Sequence, residues 1–314
     1  MTLALSIVGG LFGLFVGGEL LVRGASGVAV RFGMSPLVVG VVIVGFGTSA
    51  PELVTCVAAA LRGSPGIAVG NIVGSNIANI LLILGAAALM RPFLTSRTAV
   101  LRDGSLVIVT AVAFMGVAMT GEFTRLAGSV FVIALICYIV YTIRSDRKSA
   151  AKAQEVPAEA GTPFGLSLLF VALGLAGVII GAEYLVSGSV ELAERYGVSE
   201  EVIGLTMVAV GTSLPELATS IIAALRKQSE IALGNVLGSN VYNTIGIGGL
   251  TAVVQPVPVS PGMQAFDIPL MVAISVLLVI VVATGQRVTR WEGGLLVLLY
   301  AGYIAFQTTM GGTT

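Results

Sequence analysis

Gly47-Thr48-Ser49-Ala50-Pro51-Glu52 interrupts one apolar run of the chain, and Gly211-Thr212-Ser213-Leu214-Pro215-Glu216 interrupts another, 164 residues later. Sliding the sequence by that offset aligns Gly40 to Gly85 with Gly204 to Gly249 without a gap, and 23 of the 46 positions are identical. The match reaches back to Gly17-Gly18-Glu19-Leu20-Leu21-Val22, which pairs with Gly181-Ala182-Glu183-Tyr184-Leu185-Val186. The chain is therefore an internal duplication, and its fold must be read as two copies of one unit.

Of the 314 residues, 56% are hydrophobic and 10% charged, against roughly 25% charged in an ordinary soluble domain. That composition excludes a water-soluble globule. A bilayer core about 30 Å thick takes roughly 20 apolar residues per helical span. Ten such segments can be marked, near 3–22, 36–61, 67–91, 103–120, 125–143, 164–188, 200–225, 231–255, 267–284 and 292–309. Several are long enough to require tilt or a break. The first has neither a basic leader nor a small-residue cleavage site, so it is expected to stay as a membrane helix.

The longest polar stretch, Arg144 to Pro163, separates 1–143 from 164–314 and reads as a linker at 144–163. The expected fold is an all-α polytopic membrane protein with ten transmembrane helices. Five spans per half is an odd number, so the second copy must enter the membrane from the opposite face, giving two inverted five-helix repeats. Loops on the linker side hold 13 of the 16 Lys and Arg residues, leaving Arg62, Arg125 and Arg195 on the other. By the positive-inside rule the linker is cytoplasmic and both termini are external, in a multi-pass protein of the cell membrane.

The same composition removes several function classes. Lys and Arg together number 16, as do Asp and Glu, so no basic surface exists to gather nucleic acid. His is absent, which eliminates imidazole-based zinc sites and Ser-His or Cys-His nucleophiles. Cys56 and Cys137 lie in apolar runs without metal-ligand spacing and read as small core residues. Neither an enzyme nor a cofactor is expected.

What chemistry remains is concentrated at the two interruptions. Pro inside a helix removes an amide donor and clashes with the carbonyl four residues earlier, so each span should break there and free backbone carbonyls. Such a break survives in hydrocarbon only where it faces protein, water or an ion. Glu52 and Glu216 supply anionic oxygen, and Thr48, Ser49, Thr212 and Ser213 supply neutral oxygen, a donor set suited to a hard cation. The next spans carry Gly70-Asn71-Ile72-Val73-Gly74-Ser75-Asn76-Ile77-Ala78-Asn79 and Gly234-Asn235-Val236-Leu237-Gly238-Ser239-Asn240-Val241-Tyr242-Asn243. Ser75 and Asn79 share a helical face, as do Ser239 and Asn243, and the glycines allow close helix approach. Asn76 and Asn240 fall on another face, where helix-to-helix hydrogen bonding is expected. Glu19 and Glu183, near helix ends, are expected to make polar contacts at the interface. Folding the repeats together brings Glu52 opposite Glu216, and a cation that neutralises both relieves their repulsion.

The paired GTS-x-PEL and GN-x-x-GSN-x-x-N segments closely resemble the alpha repeats of the cation/calcium exchanger superfamily, specifically its prokaryotic Na⁺/Ca²⁺ exchangers. The likeness covers nearly the whole chain. It implies ten helices around a central cluster of cation sites, exchange of several Na⁺ for a Ca²⁺, and first and sixth helices that slide across a fixed core. It further implies that Glu52 and Glu216 are carboxylates shared by Ca²⁺ and Na⁺, with the carbonyls of Thr48 and Thr212 completing the Ca²⁺ shell. By the same resemblance Ser49, Ser75, Ser213 and Ser239 serve Na⁺ with the carbonyls of Gly45 and Ala209, while Asn79 and Asn243 line the middle. K⁺-dependent members carry Asp where Asn243 stands, so K⁺ independence is implied. Proton-coupled members carry a GN-x-x-E segment instead of GTS-x-PE, which favours Na⁺.

The expected function is a secondary antiporter that exchanges Na⁺ for Ca²⁺ by alternating access, with those ions as substrates and the lipid bilayer as its surroundings. The cage is complete within one chain by internal pseudo-symmetry, so a monomer suffices. The alternatives are an H⁺/Ca²⁺ or other cation exchanger and, further off, a cation channel.

Overall fold

The computed structural model describes residues 3–94, 100–150, 163–195, 209–284 and 287–310. The chain is helical nearly throughout. In order come α1 (Leu3–Phe32), α2 (Pro36–Thr48), α3 (Ala50–Leu61), α4 (Pro65–Met90), α5 (Ser105–Ala118), α6 (Arg125–Ala150), α7 (Phe164–Arg195), α8 (Ala209–Thr212) and α9 (Leu214–Leu225). They are followed by α10 (229–254), α11 (Met263–Ala283) and α12 (Arg290–Met310). Among the described residues five helices are long and apolar enough to cross a bilayer, and the bent pair α2–α3 makes a sixth.

The arrangement inverts that of a soluble protein. Phe12, Val54, Leu126 and Leu298 are each at least 67% exposed on the outside, whereas Glu52, Glu216, Asn79, Asn243 and Ser239 are buried. An outer surface this apolar requires hydrocarbon as its solvent, and the polar interior requires partners for every group it hides.

Two element boundaries differ from the sequence reading. The first helix continues to Phe32 instead of ending near 22, with Val22, Ala25, Val28 and Ala29 buried along the added turns and Arg23 paired with Glu19 one turn earlier at 2.7 Å. It stops where Gly33 takes a φ of 60°. Residues 144–150, expected as linker, continue α6, and 151–162 lie outside the described residues. The first part of the expected span at 200–225, namely 200–208, also lies outside them.

Glycines set how the helices meet. A Cβ on Gly10 would strike Gly181 and Leu185, one on Gly17 would strike Gly174, Gly177 and Val178, and one on Gly24 would strike Ser167 and Val171. Partner numbers fall as α1 advances, so α1 and α7 run antiparallel, backbone against backbone. Gly10, Gly13 and Gly17 are the equivalents, at an offset of 164, of Gly174, Gly177 and Gly181. Gly40 meets Ile231 and Gly234, and Gly45 meets Asn235, Gly238 and Ser239, so α2 runs parallel to α10. The few extended residues also cross between halves: Phe93–Leu94 pairs with Arg287–Val288, and Glu122–Phe123 pairs with Val257–Pro258.

Candidate cation site

The span from Pro36 to Leu61 bends by 43° at Ser49. Ser49 has φ −81° and ψ 7°, and Ser213 has φ −91° and ψ 6°, so one residue in each half leaves the helical conformation. Pro51 and Pro215 fall in the first turn of the new helix, where a missing amide donor costs nothing. The prolines thus start α3 and α9 instead of straining a continuous helix. The C-terminal carbonyls of α2, including those of Gly45 and Thr48, carry the negative end of that helix into the break, which favours a cation. Glu52 and Glu216 stand in the first turns of α3 and α9.

The two halves interlock at this point. Ser49 Oγ donates to Glu216 Oε1 at 2.9 Å and lies 3.2 Å from Ser239 Oγ. Reciprocally, Ser213 Oγ donates to Glu52 Oε1 at 3.4 Å and lies 3.4 Å from Ser75 Oγ. A hydroxyl has one proton, so with Ser49 and Ser213 donating to the carboxylates, Ser239 and Ser75 donate to them in turn. Each half therefore presents its serine to the other half's glutamate.

Among the described residues, several buried polar atoms here have no hydrogen-bond partner: Glu52 Oε2, Glu216 Oε2, and both amide atoms of Asn79 and of Asn243. Buried polar groups are satisfied in all but a few cases, and an unpartnered one costs about 1–3 kcal/mol, more when charged. A desolvated cation fits the orphaned carboxylate and amide oxygens.

The sequence-derived residues do not contribute equally. Thr48, Ser49, Glu52, Ser75, Asn79, Ser213, Glu216, Ser239 and Asn243 are all buried, and Thr212 is half-buried. The carbonyl of Gly45 accepts the Ser49 amide at 3.1 Å, while the Thr48 hydroxyl lies nearer the Val44 carbonyl at 3.0 Å, so one lone pair of Gly45 is left for an ion. Ala209 begins α8 directly below the second break.

A supporting shell was missed in the sequence. Thr48 Oγ1 lies between the Val44 carbonyl at 3.0 Å and Asn235 Oδ1 at 3.2 Å, and Asn71 Nδ2 donates to Thr212 Oγ1 at 3.4 Å. Asn235 Nδ2 also donates to Ser220 Oγ at 2.9 Å and to the Glu216 carbonyl at 3.3 Å. At the equivalent place in the first half Cys56 Sγ approaches Asn71 Oδ1 at 3.4 Å, so Cys56 is a polar partner as well as a core side chain. The duplicated Gly-Asn pairs were the available signal. Asn76 and Asn240 depart from expectation: each bonds a carbonyl of its own helix, Ile72 and Val236, at 2.7 Å, instead of joining two helices. Glu19 meets the expectation of an interfacial polar contact by pairing with both Arg23 and Arg226.

Comparison with known proteins follows the same lines. A family model described as sodium/calcium exchanger protein matches residues 2–144 and 166–309. The sodium/calcium exchanger MaX1 of Methanosarcina acetivorans is 35% identical over 335 residues, covering 94% of this chain and 95% of that one. The inner membrane protein YrbG of Escherichia coli is 33% identical over 310 residues, covering 96% and 94%. The sodium-calcium exchanger NCX_Mj, in crystals soaked with 2.5 mM Na⁺ and 0.1 mM Ca²⁺, superposes with a TM-score of 0.81 at 32% identity over 96% of each chain.

Proposed function

This chain belongs to the sodium/calcium exchanger protein family of multi-pass membrane proteins, and from that membership we propose that it is an antiporter coupling Ca²⁺ movement to a Na⁺ gradient. One observation carries the reading: Glu52 and Glu216, linked crosswise by Ser213 and Ser49, each keep a buried carboxylate oxygen without a partner. Ca²⁺ neutralises both carboxylates at once and takes six to eight oxygens at about 2.3–2.6 Å. In this reading the carbonyls of Thr48 and Thr212 complete its shell. Na⁺ ions use the same carboxylates with Ser49, Ser75, Ser213 and Ser239 and the carbonyls of Gly45 and Ala209, while Asn79 and Asn243 line the middle. Shared ligands make Ca²⁺ and Na⁺ loading mutually exclusive, which is the minimum an exchanger needs.

The proposed frame is ten spans in two inverted five-helix repeats, 1–143 and 164–314, with external termini and a cytoplasmic connection between them. The antiparallel α1–α7 pair and the cross-paired extended residues support it. The test is flux with each gradient imposed alone. Vesicles loaded with Na⁺ should accumulate Ca²⁺, and Glu52→Gln or Glu216→Gln should abolish that uptake. Uptake that survives both substitutions overturns the site. Uptake driven by a pH gradient in the absence of Na⁺ overturns the coupling ion.

A further inference from the structure

Outside the central cage, the duplication also pairs Asp103 with Asp267, separated by the same offset of 164. Their surroundings have diverged. Asp103 is fully buried and held by its neighbour Arg102 in a two-pronged pair, Nε to Oδ1 at 3.0 Å and Nη2 to Oδ2 at 2.9 Å. Its charge is cancelled where it stands. The residue equivalent to Arg102 is Phe266, and among the described residues no Lys or Arg pairs with Asp267. Its hydrogen-bond partners are neutral: Gln307 Nε2 lies 2.5 Å from Oδ1 and 3.0 Å from Tyr303 Oη, and the Tyr303 hydroxyl also bonds the carboxylate.

Asp267, Tyr303 and Gln307 line a cavity of about 360 Å³ that also reaches Asn71, Ser75 and Thr212. The carboxylate therefore shares a continuous space with residues of the cation site. A cavity with low-dielectric walls focuses the field of an uncancelled charge and raises the local concentration of the opposite one.

We propose that Asp267, with Tyr303 and Gln307, is a cation-recruiting station that feeds the central site from one membrane face only. That face is the one bearing the turn at Arg62–Ser64, since Ile67, just inside the turn, lines the same cavity. Arg102 silences the matching carboxylate at the other end. The duplicated frame thus gathers ions unequally from its two sides. The inference deepens the exchange reading and rests on it for the identity of the ion.

The test uses the full-length protein in right-side-out and inside-out vesicles. Asp267→Asn should raise the half-saturating Ca²⁺ by about threefold or more at the cavity face. The maximal rate and the half-saturating Ca²⁺ at the opposite face should not change. Phe266→Arg, which copies the Arg102–Asp103 arrangement while keeping the carboxylate, should do the same and serves if Asp267→Asn is unstable. Choline chloride should shrink the difference by screening. An equal shift at both faces, or none, overturns the proposal.

Where the parent protein does not exchange ions at all, the exchange reading fails separately and Tb³⁺ binding decides the station. In Glu52→Gln/Glu216→Gln protein, Tb³⁺ emission excited through Tyr300 and Tyr303 should persist, then vanish when Asp267→Asn is added. Emission indifferent to Asp267 overturns it.

Discussion

Ser49 Oγ stands 2.9 Å from Glu216 Oε1, a hydrogen bond joining residues 167 positions apart across the two halves. Its counterpart, Ser213 to Glu52, is longer at 3.4 Å. A hydrogen bond to a charged group contributes about 1.5–3 kcal/mol, and the shorter one contributes more. Ser49→Ala should therefore weaken Na⁺ binding more than Ser213→Ala. The Na⁺ concentration that half-displaces bound Ca²⁺ measures both, and a reversed order refutes the asymmetry.

Asn235 and Asn71 hold the threonines at the breaks, but Asn235 has more to lose. It engages Thr48, Ser220 and the Glu216 carbonyl, while Asn71 engages Thr212 and Cys56. Leaving a buried polar partner unsatisfied costs about 1–3 kcal/mol. Asn235→Ala is expected to lower the thermal midpoint of unfolding in detergent further than Asn71→Ala does.

Ligand removal gives a third check. A ligand that binds only the folded chain stabilises it by about 2.7 kcal/mol at a hundredfold excess over its Kd. Ca²⁺ should raise the unfolding midpoint of the parent protein and chelation should return it. In the Glu52→Gln/Glu216→Gln chain the rise should be much smaller, and what remains should disappear when Asp267→Asn is added.

The glycine contact between α1 and α7 makes a prediction with its own control. A Cβ at Gly17 would sit 2.5 Å from the Val178 amide nitrogen, whereas one at Gly9 meets nothing within 4 Å among the described residues. Overpacking costs about 1–3 kcal/mol. Gly17→Val should slow Ca²⁺ flux and reduce stability, and Gly9→Ala should change neither. Equal behaviour of the two variants would show that the close approach is unimportant.

The parts legible in the sequence were those that periodicity and duplication write directly. The Pro51 and Pro215 breaks, the carboxylates beside them and the facing serines all follow from spacing and hydropathy. The roles of Asn71 and Asn235 were not legible, because each acts on the threonine of the opposite half. No spacing within one copy encodes that meeting. The same holds for Asp103 and Asp267, which only the position of Arg102 and the shape of the cavity separate. Helix length was misjudged where buried small and apolar residues carry a helix past a charged one, as Val22, Ala25, Val28 and Ala29 do around Arg23.

The α1–α7 seam has a consequence for how such a chain could arise. Gly13 and Gly17 meet Gly177 and Gly181, their own equivalents, so the surface of one half is its own complement. An isologous face is what a twofold dimer of identical subunits requires. The fused chain keeps within itself the self-complementary contact by which two separate copies of one half would recognise each other.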